Sequence, residues 1–470
     1  MTTKNPFGKR WPMPVLLAAL SCTFVSCAVG PDYKRPELAT PGAFKSATDA
    51  EKPQPVIVAE WWTLFNDPAL TKLATETIAA NQDIKAAIAR VDQSRAALRS
   101  ANGSFFPSLN IDATARRSGN VNGTSSSYSL PLDLSYEVDV WGRLRRQYEY
   151  YKNTEQASAA DLALVRLTAV ADVAQAYFTI RFYDSEISVY RQALDLYRKQ
   201  LDLTETKHRA GLALPTDLLQ AKTQVNTATN QLIEVRRSRA KQEHAIAILL
   251  GRPPSDYFLV QAPAETEIPV IPAGLPLNLL SRRPDVFEAE HRLAAANAQI
   301  GMAKANFFPT FSLIGSAGFQ SSNTNNLLDW EKRVWSFGPS LNLPIFQGGR
   351  LSAALAQARA RYEELVATYR TSVLGAFRDV EDQLSDLHLL AEKAKSLDDT
   401  LVSAREYSRL TQLQYKQGLT NYLQVIDANQ TLLNNELSAA QAQAQRLSAT
   451  VLLIKALGGG WEGLPPPTKP

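Results

Sequence analysis

Little in this sequence can do chemistry, and what can sits at its start. Both cysteines, Cys22 and Cys27, lie close to the N-terminus. A thiolate is a soft nucleophile that a diacylglycerol donor can alkylate, and Phe24-Val25-Ser26-Cys27 resembles a lipobox, in which the cysteine becomes residue one of the mature chain. Cys22 is the alternative, but a large or branched apolar residue usually stands three places before the modified cysteine, and there it is Ala19. The preceding stretch carries Lys4, Lys9 and Arg10 without an acid and then an apolar run from Met13 to Leu20, a secretory signal too short for a membrane span. Residues 1–26 are therefore expected to be removed and Cys27 to be lipidated. Two or more acyl chains at ~0.8 kcal/mol per buried methylene make a durable anchor. Ala28 follows the cysteine, and in lipoproteins of this kind the absence of Asp there implies export to the outer membrane.

The remaining reactive side chains form no constellation. His208, His244, His291 and His388 are scattered, none at metal-ligand spacing from another, and no Ser/His/Asp or Cys/His set stands out. Glu363-Glu364 and Asp398-Asp399 read as solvated helix faces. No catalytic residue, cofactor site or metal site is expected, and the chain does not read as an enzyme. Lys+Arg 50 against Asp+Glu 46 leaves a net charge of +4, which is no nucleic-acid footprint. At 45% hydrophobic the chain is too apolar to be disordered. It has no apolar run long enough for a spanning helix, so a membrane crossing would have to be made of strands.

The elements that hold this chain together are written twice. Phe105-Phe106-Pro107-Ser108 recurs as Phe307-Phe308-Pro309-Thr310, and the same offset pairs Asp83 with Asp285 and Arg90 with Arg292. A slightly larger offset pairs Gly142-Arg143-Leu144 with Gly349-Arg350-Leu351, Gly211-Leu212 with Gly418-Leu419, and Leu250-Gly251 with Leu457-Gly458. The expected organisation is an extended segment 27–68, a first repeat 69–251, a Pro-rich linker 252–284, a second repeat 285–458 and a tail 459–470. Each repeat reads helix, strand, loop, strand, very long helix, tight turn, long helix.

Period-two alternation marks the strands. Leu109, Ile111, Ala113 and Ala115 alternate with polar residues, as do Leu130, Leu132, Leu134, Tyr136 and Val138. The second hairpin, about 309–346, does the same with Phe311, Leu313, Gly315 and Ala317, then Trp335, Phe337, Leu341, Leu343 and Ile345. Ser118–Ser127 and Gln320–Asn326 are expected to be exposed loops. Asp112, Asp133, Glu137 and Asp139 fall on the polar face. An open sheet edge leaves backbone groups unpaired in hydrocarbon, so only a closed barrel suits a bilayer. Four strands are too few where small barrels need about eight. Several chains must share one: two would give eight strands with a filled interior, three would give twelve with room for a passage, and a passage favours three.

Arg143 to Arg209 contains neither proline nor glycine, enough for a rod of roughly 100 Å at ~1.5 Å per residue. Val173, Ala176, Ile180, Tyr183, Ile187, Tyr190, Leu194, Tyr197, Leu201 and Thr204 form a heptad seam, which supercoils against a neighbour. The rod from Arg350 to Gln417 carries Val380, Leu387, Leu390, Leu397 and Leu401 in the same register. Gly211 and Gly418 are the expected C-terminal caps.

Ala28-Val29-Gly30-Pro31-Asp32-Tyr33-Lys34-Arg35-Pro36, Trp61-Trp62 with Phe65 and Asp67-Pro68, Arg282-Arg283-Pro284-Asp285 and the two Phe-Phe-Pro elements together resemble the TolC-like outer-membrane efflux family, of the OprM and NodT lipoprotein type. The resemblance covers essentially all of residues 1–460. It implies a mainly α fold with a transmembrane β-barrel: a homotrimer with a 12-stranded barrel, four strands from each chain, continued by a long α-helical barrel through the periplasm. It also implies a periplasmic adaptor (a membrane fusion protein), an inner-membrane RND pump, and passive release of drugs or other small molecules. By position, Leu423 and Asp427 fall on the family's apolar and acidic gate residues, and Gly211, Leu212, Gly418 and Leu419 on the tips that would meet the adaptor. Where such sequences carry Arg one turn beyond the Asp, this chain has Gln430, which leaves an ionic lock between neighbours in question.

The competing reading is a periplasmic coiled-coil lipoprotein, an adaptor or cell-wall spacer without a pore. It accounts for rods and lipid but not for four long amphipathic strands.

Overall fold

The computed structural model describes residues 28–38, 40–46, 59–121, 123–262, 266–269, 271, 282–461 and 463. Cys27, most of 272–284 and most of the tail lie outside them. The chain divides into two compact units, one built from Met1–Pro36, Asp92–Ala157 and Glu290–Thr368, the other from Glu37–Val91, Ser158–Ala289 and Tyr369–Pro470.

Element lengths follow the duplication. Helices α1 (Pro68–Ala80) and α2 (Gln82–Gly103) lead into strands β1 (Ser108–Ile111), β2 (Thr114–Asn120) and β3 (Gly123–Val138), then α3 (Arg143–Arg209) and α4 (Pro215–Leu249). The second pass runs α5 (Pro284–Ala305), β4 (Thr310–Ser321), β5 (Arg333–Asn342), α6 (Arg350–Lys416) and α7 (Tyr422–Ala456). Helices α3 and α6 each have 67 residues, α4 and α7 each 35, and α2 and α5 each 22. The four long helices end alike. At Gly211, φ is +74°, its N–H bonds His208 O and that of Leu212 bonds Lys207 O; Gly418 and Leu419 repeat this on Tyr415 and Gln414. Gly251 and Gly458 close α4 and α7 by the same paired bonds, onto Ile248 and Ala247 and onto Lys455 and Ile454 for the residue after. This is the Schellman geometry, which glycine permits because it has no Cβ to clash at positive φ.

In the first unit one antiparallel sheet runs β1/β2–β3–β4–β5. The first arm is interrupted at Asp112-Ala113, yet its register is the same on both sides, Ile111 opposite Leu132 and Thr114 opposite Ser129. Pro131 stands opposite Asp112 and has no N–H to give, which removes one rung of the ladder without shifting it. Ser118–Ser127 is not the exposed loop expected from composition. β2 continues to Asn120 and β3 starts at Gly123, the two paired without a break from Thr114 opposite Ser129 to Asn120 opposite Gly123. Ser and Thr side chains fit a pleated strand, so a run of them need not be a loop. On the other hairpin β4 extends to Ser321, and the connection after it is irregular with two short 3-10 turns.

Around the hairpins, Trp141 stacks on Phe308 at 4.7 Å and donates to Pro309 O at 2.8 Å, so the second Phe-Phe-Pro element fixes a helix-to-strand junction. Asp139 accepts from the N–H groups of Leu144 and Arg145, both at 3.0 Å, and caps α3, while Glu137 takes the Arg143 guanidinium through two bonds of 2.8 and 2.7 Å. Those two acids are thus engaged rather than free on the polar face.

In the second unit Trp61, Phe65 and Leu70 bury against Phe178, Ile180 and Ile246, and Tyr177 donates to Asp67 at 2.7 Å while Asp67 caps α1. The α3 seam is buried as its spacing requires: Val173, Ile180, Ile187, Leu194, Tyr197 and Thr204 are all shielded. On α6 Val380 is fully buried, but Leu387, Leu390, Leu397 and Leu401 are only half-buried within one chain.

Candidate functional site

Two surfaces carry the functional argument, one in each unit. The first is the sheet. Cross-strand partners share a face, so the register sorts the side chains. One face carries Leu109 and Ile111 beside Leu134 and Leu132, and these beside Gly315 and Ala317, which pair in turn with Phe337 and Trp335. The opposite face carries Asn110, Asp133, Ser316 and Ser336 in one row. The apolar face is exposed: Ile111 is 67% accessible, Trp335 78% and Phe337 66%. On β3 it extends from Leu130 to Val138 and on β4 from Phe311 to Phe319. Nine residues at ~3.3 Å, tilted by ~40°, give a belt of about 20–25 Å, close to the ~25 Å apolar band of an outer-membrane barrel. The sheet does not close on itself: β1/β2 forms one margin and β5 the other.

Backbones approach closely within this sheet. A Cβ added to Gly318 would fall 2.1 Å from Leu130 O, whereas nothing lies within 4 Å of one added to Gly338. At the helix end of the sheet, Val29 N–H donates to Trp141 O at 2.9 Å, Arg146 pairs with Asp32 at 2.7 Å, and Asn297 donates to Pro31 O at 2.9 Å. Ala28, the residue after Cys27, packs on Gly142, four positions beyond the end of β3.

The second surface is the set of helix turns. Leu212 and Leu419 stand at matching places beside Gly211 and Gly418 and are 77% and 73% exposed. Asn421 caps α7 by accepting from Gln424 N–H at 3.1 Å. Tyr422, Val425, Ala428 and Asn429 are buried, which leaves Leu423 and Asp427 exposed one turn apart on the outward face of α7. Asp427 Oδ2 accepts a hydrogen bond of 3.1 Å from the Tyr407 hydroxyl on α6. Behind it Asn429 Oδ1 accepts from Ser408 Oγ at 2.8 Å and Gln412 Nε2 at 3.0 Å. Gln430 donates to Asn434 at 2.9 Å and so does not serve Asp427. Lys207 ties the two turns: its ammonium donates to Tyr415 O at 2.9 Å and lies 3.9 Å over the Tyr415 ring. Sequence reasoning named Leu423 and Asp427 as candidates and carried no signal for Tyr407, whose partner lies 20 residues away on another helix.

No helix among the described residues is long and apolar enough to cross a membrane, and none of their His, Cys, Asp and Glu side chains form a group of three that could hold a metal.

An exposed apolar belt of membrane height in one unit and paired long helices in the other narrow the field to a few architectures, and comparison decides among them. The sequence profile of the outer membrane efflux protein family matches residues 73–252 and 275–459, one stretch in each repeat. The chain belongs to that family. Outer membrane protein OprJ of Pseudomonas aeruginosa is 33% identical over 477 residues, 98% of this chain and 97% of that one. The solvent efflux pump outer membrane protein SrpC of Pseudomonas putida is 33% identical over 96% of this chain and 98% of its own. Among solved structures, the outer-membrane channel OprN superposes with a TM-score of 0.86 at 30% identity, covering 93% of this chain and all of that one. The open state of the Neisseria gonorrhoeae MtrE outer membrane channel gives 0.82 at 30% identity, over 92% and 98%. The resemblance read from the Phe-Phe-Pro and Arg-Arg-Pro-Asp motifs is therefore correct, and the family places this chain among outer-membrane efflux proteins that combine long helices with a β domain.

Proposed function

We propose that this chain is one third of a passive outer-membrane duct. Three copies pool four strand arms each into a 12-stranded barrel, and their long helices continue as an α-helical barrel into the periplasm. The observation that carries this reading is the sheet: one face apolar over membrane height, the other polar, both margins unpaired. In hydrocarbon such margins must be paired by other chains. A pore-free spacer lipoprotein has no use for an exposed apolar belt of this height.

Cys27 is lipidated in this reading, and the packing of Ala28 on Gly142 supports it by holding the neighbouring residue near the helix end of the strands. Leu423 and Asp427 ring the periplasmic entrance, three apolar side chains beside three carboxylates, which impedes anions and narrows the path. Gly211, Leu212, Gly418 and Leu419 meet a periplasmic adaptor, and an inner-membrane RND pump supplies the energy. The channel itself catalyses nothing. The relatives' names, which include antibiotic and solvent efflux pumps, support drugs and other small molecules as cargo.

The test is detergent extraction with mass determination, followed by planar-bilayer recording. A heat-sensitive trimer that conducts is expected. A lipid-anchored monomer without conductance would overturn the proposal.

A further inference from the structure

The duplication sets the pairing of the strands as well as their order. Phe307 stands 202 positions after Phe105, and Gly349 stands 207 after Gly142. In the first hairpin Ser108 pairs with Ser135. Moving the first arm on by 202 and the second by 207 puts Thr310 opposite Asn342, which is the pair that β4 and β5 form. The two hairpins therefore share one register, and the seam between them, β3 with β4, is the one join of repeat to repeat inside the chain, running to Val138 opposite Phe311. The same shifts carry that seam onto the two free margins: Val138 becomes Ile345 and Phe311 becomes Leu109.

A detail of β5 points the same way. β3 runs three residues past its last pair with β1, and from Tyr136 to Val138 β4 alone holds it. The counterparts Leu343, Pro344 and Ile345 follow the last β4–β5 pair, have no further strand beside them in one chain, and lie outside β5. Alternation nevertheless continues through them, and Ile345 is 91% exposed, as Leu109 is at 61% on the other margin.

We infer that the join between copies repeats the join within one: β5 and its extension lie antiparallel on the first arm of the next copy, with Ile345 opposite Leu109, Leu343 opposite Ile111 and Leu341 opposite Ala113. The inference rests on the duct reading and adds which residues meet and in what register. Apolar side chains then face apolar ones, and Asn342 meets Asp112 on the polar face; a slip of one residue would send each row to the wrong side. Pro339 and Pro344 have no N–H, so at most two rungs are lost, as one is at Pro131 within the chain. One clasp is not copied. Gly348 stands where Trp141 does, so the seam between copies lacks the indole that stacks on Phe308 and rests on the ladder itself.

The test is oxidative cross-linking of the full-length protein in membranes with copper phenanthroline. Ile345→Cys with Leu109→Cys places directly opposed Cβ atoms ~4.5–5.5 Å apart across the seam, whereas Ile345→Cys with Ile111→Cys leaves them ~7–8 Å apart. The first pair should give covalent dimers and trimers on denaturing gels without reductant, the second about 5-fold less, and each single variant none. Asn342→Cys with Asp112→Cys tests the same register on the polar face and stands in if the apolar-face pair does not assemble. An equal or greater yield from the shifted pair would overturn the register, as would a conducting trimer in which neither opposed pair cross-links; both outcomes leave the duct intact. A monomer that neither conducts nor cross-links would sink the duct reading and this inference with it.

Discussion

The Tyr407 hydroxyl and Asp427 Oδ2 are 3.1 Å apart, a hydrogen bond that joins α6 to the exposed face of α7 within one chain. The bond holds the phenol protonated, so Tyr407 titrates above its ordinary value because of the neighbouring carboxylate. With Gln430 turned to Asn434, this intrachain bond is what holds Asp427 in place.

Loss of that bond should loosen the proposed entrance. Tyr407→Phe and Asp427→Ala should therefore both raise single-channel conductance or open probability in planar bilayers. Unchanged currents in both variants would remove Asp427 from the gate.

Arg239→Met should destabilise the second unit severely. Asp184 accepts from Arg239 at 2.7 Å and Arg181 at 3.0 Å in a site where all three side chains are almost wholly buried. The same two guanidiniums donate to Leu259 O and Val260 O and hold that segment on α3 and α4. Breaking a buried pair from one side costs about 3–5 kcal/mol. Calorimetry should show the loss, and limited proteolysis should show new cleavage near residues 257–262. Adding Asp184→Leu strands the buried Arg181 guanidinium without a carboxylate, so the double change should cost more than the single one.

Stability should depend on pH through Glu186. Burial raises its carboxyl from the ordinary value to about 7. The unfolded chain therefore ionises first as pH rises, so the contribution of the neutral carboxyl is complete below the unfolded pKa and is lost by the time pH has passed about 7. Glu186→Gln should flatten this part of the melting-temperature profile between pH 5 and pH 8 and raise the melting temperature at the alkaline end. A parallel profile in the variant would assign the dependence elsewhere.

The two strand glycines should separate cleanly. Gly318→Ala forces a Cβ against Leu130 O and should reduce or abolish the heat-sensitive oligomer on gels, whereas Gly338→Ala meets nothing and should leave it intact. Equal behaviour of the two would mean that the β3–β4 spacing relaxes easily.

Much of this fold is legible because it is periodic. The repeated Gly-Arg-Leu and Gly-Leu signatures mark helices of equal length, and the 3-4 spacing from Val173 to Thr204 names the buried seam of α3 directly. Strand alternation shows wherever apolar residues mark one face, and it is silent between Ser118 and Ser127, where both faces are polar and β2 and β3 nevertheless continue. Interactions between distant positions leave no local trace. Nothing around Asp184 announces Arg239, 55 residues on, and nothing around Asp427 announces Tyr407. Glu137 and Asp139 read as bare polar-face acids until their partners Arg143 and Arg145 are placed.

The two unpaired margins of the sheet, β1/β2 and β5, bear on biogenesis. A lone copy entering hydrocarbon would carry both rows of amide groups in with it, at several kcal/mol for each group left without a partner. In the proposed duct, insertion and association are then a single event, and a copy that meets no others stays stranded at the bilayer surface.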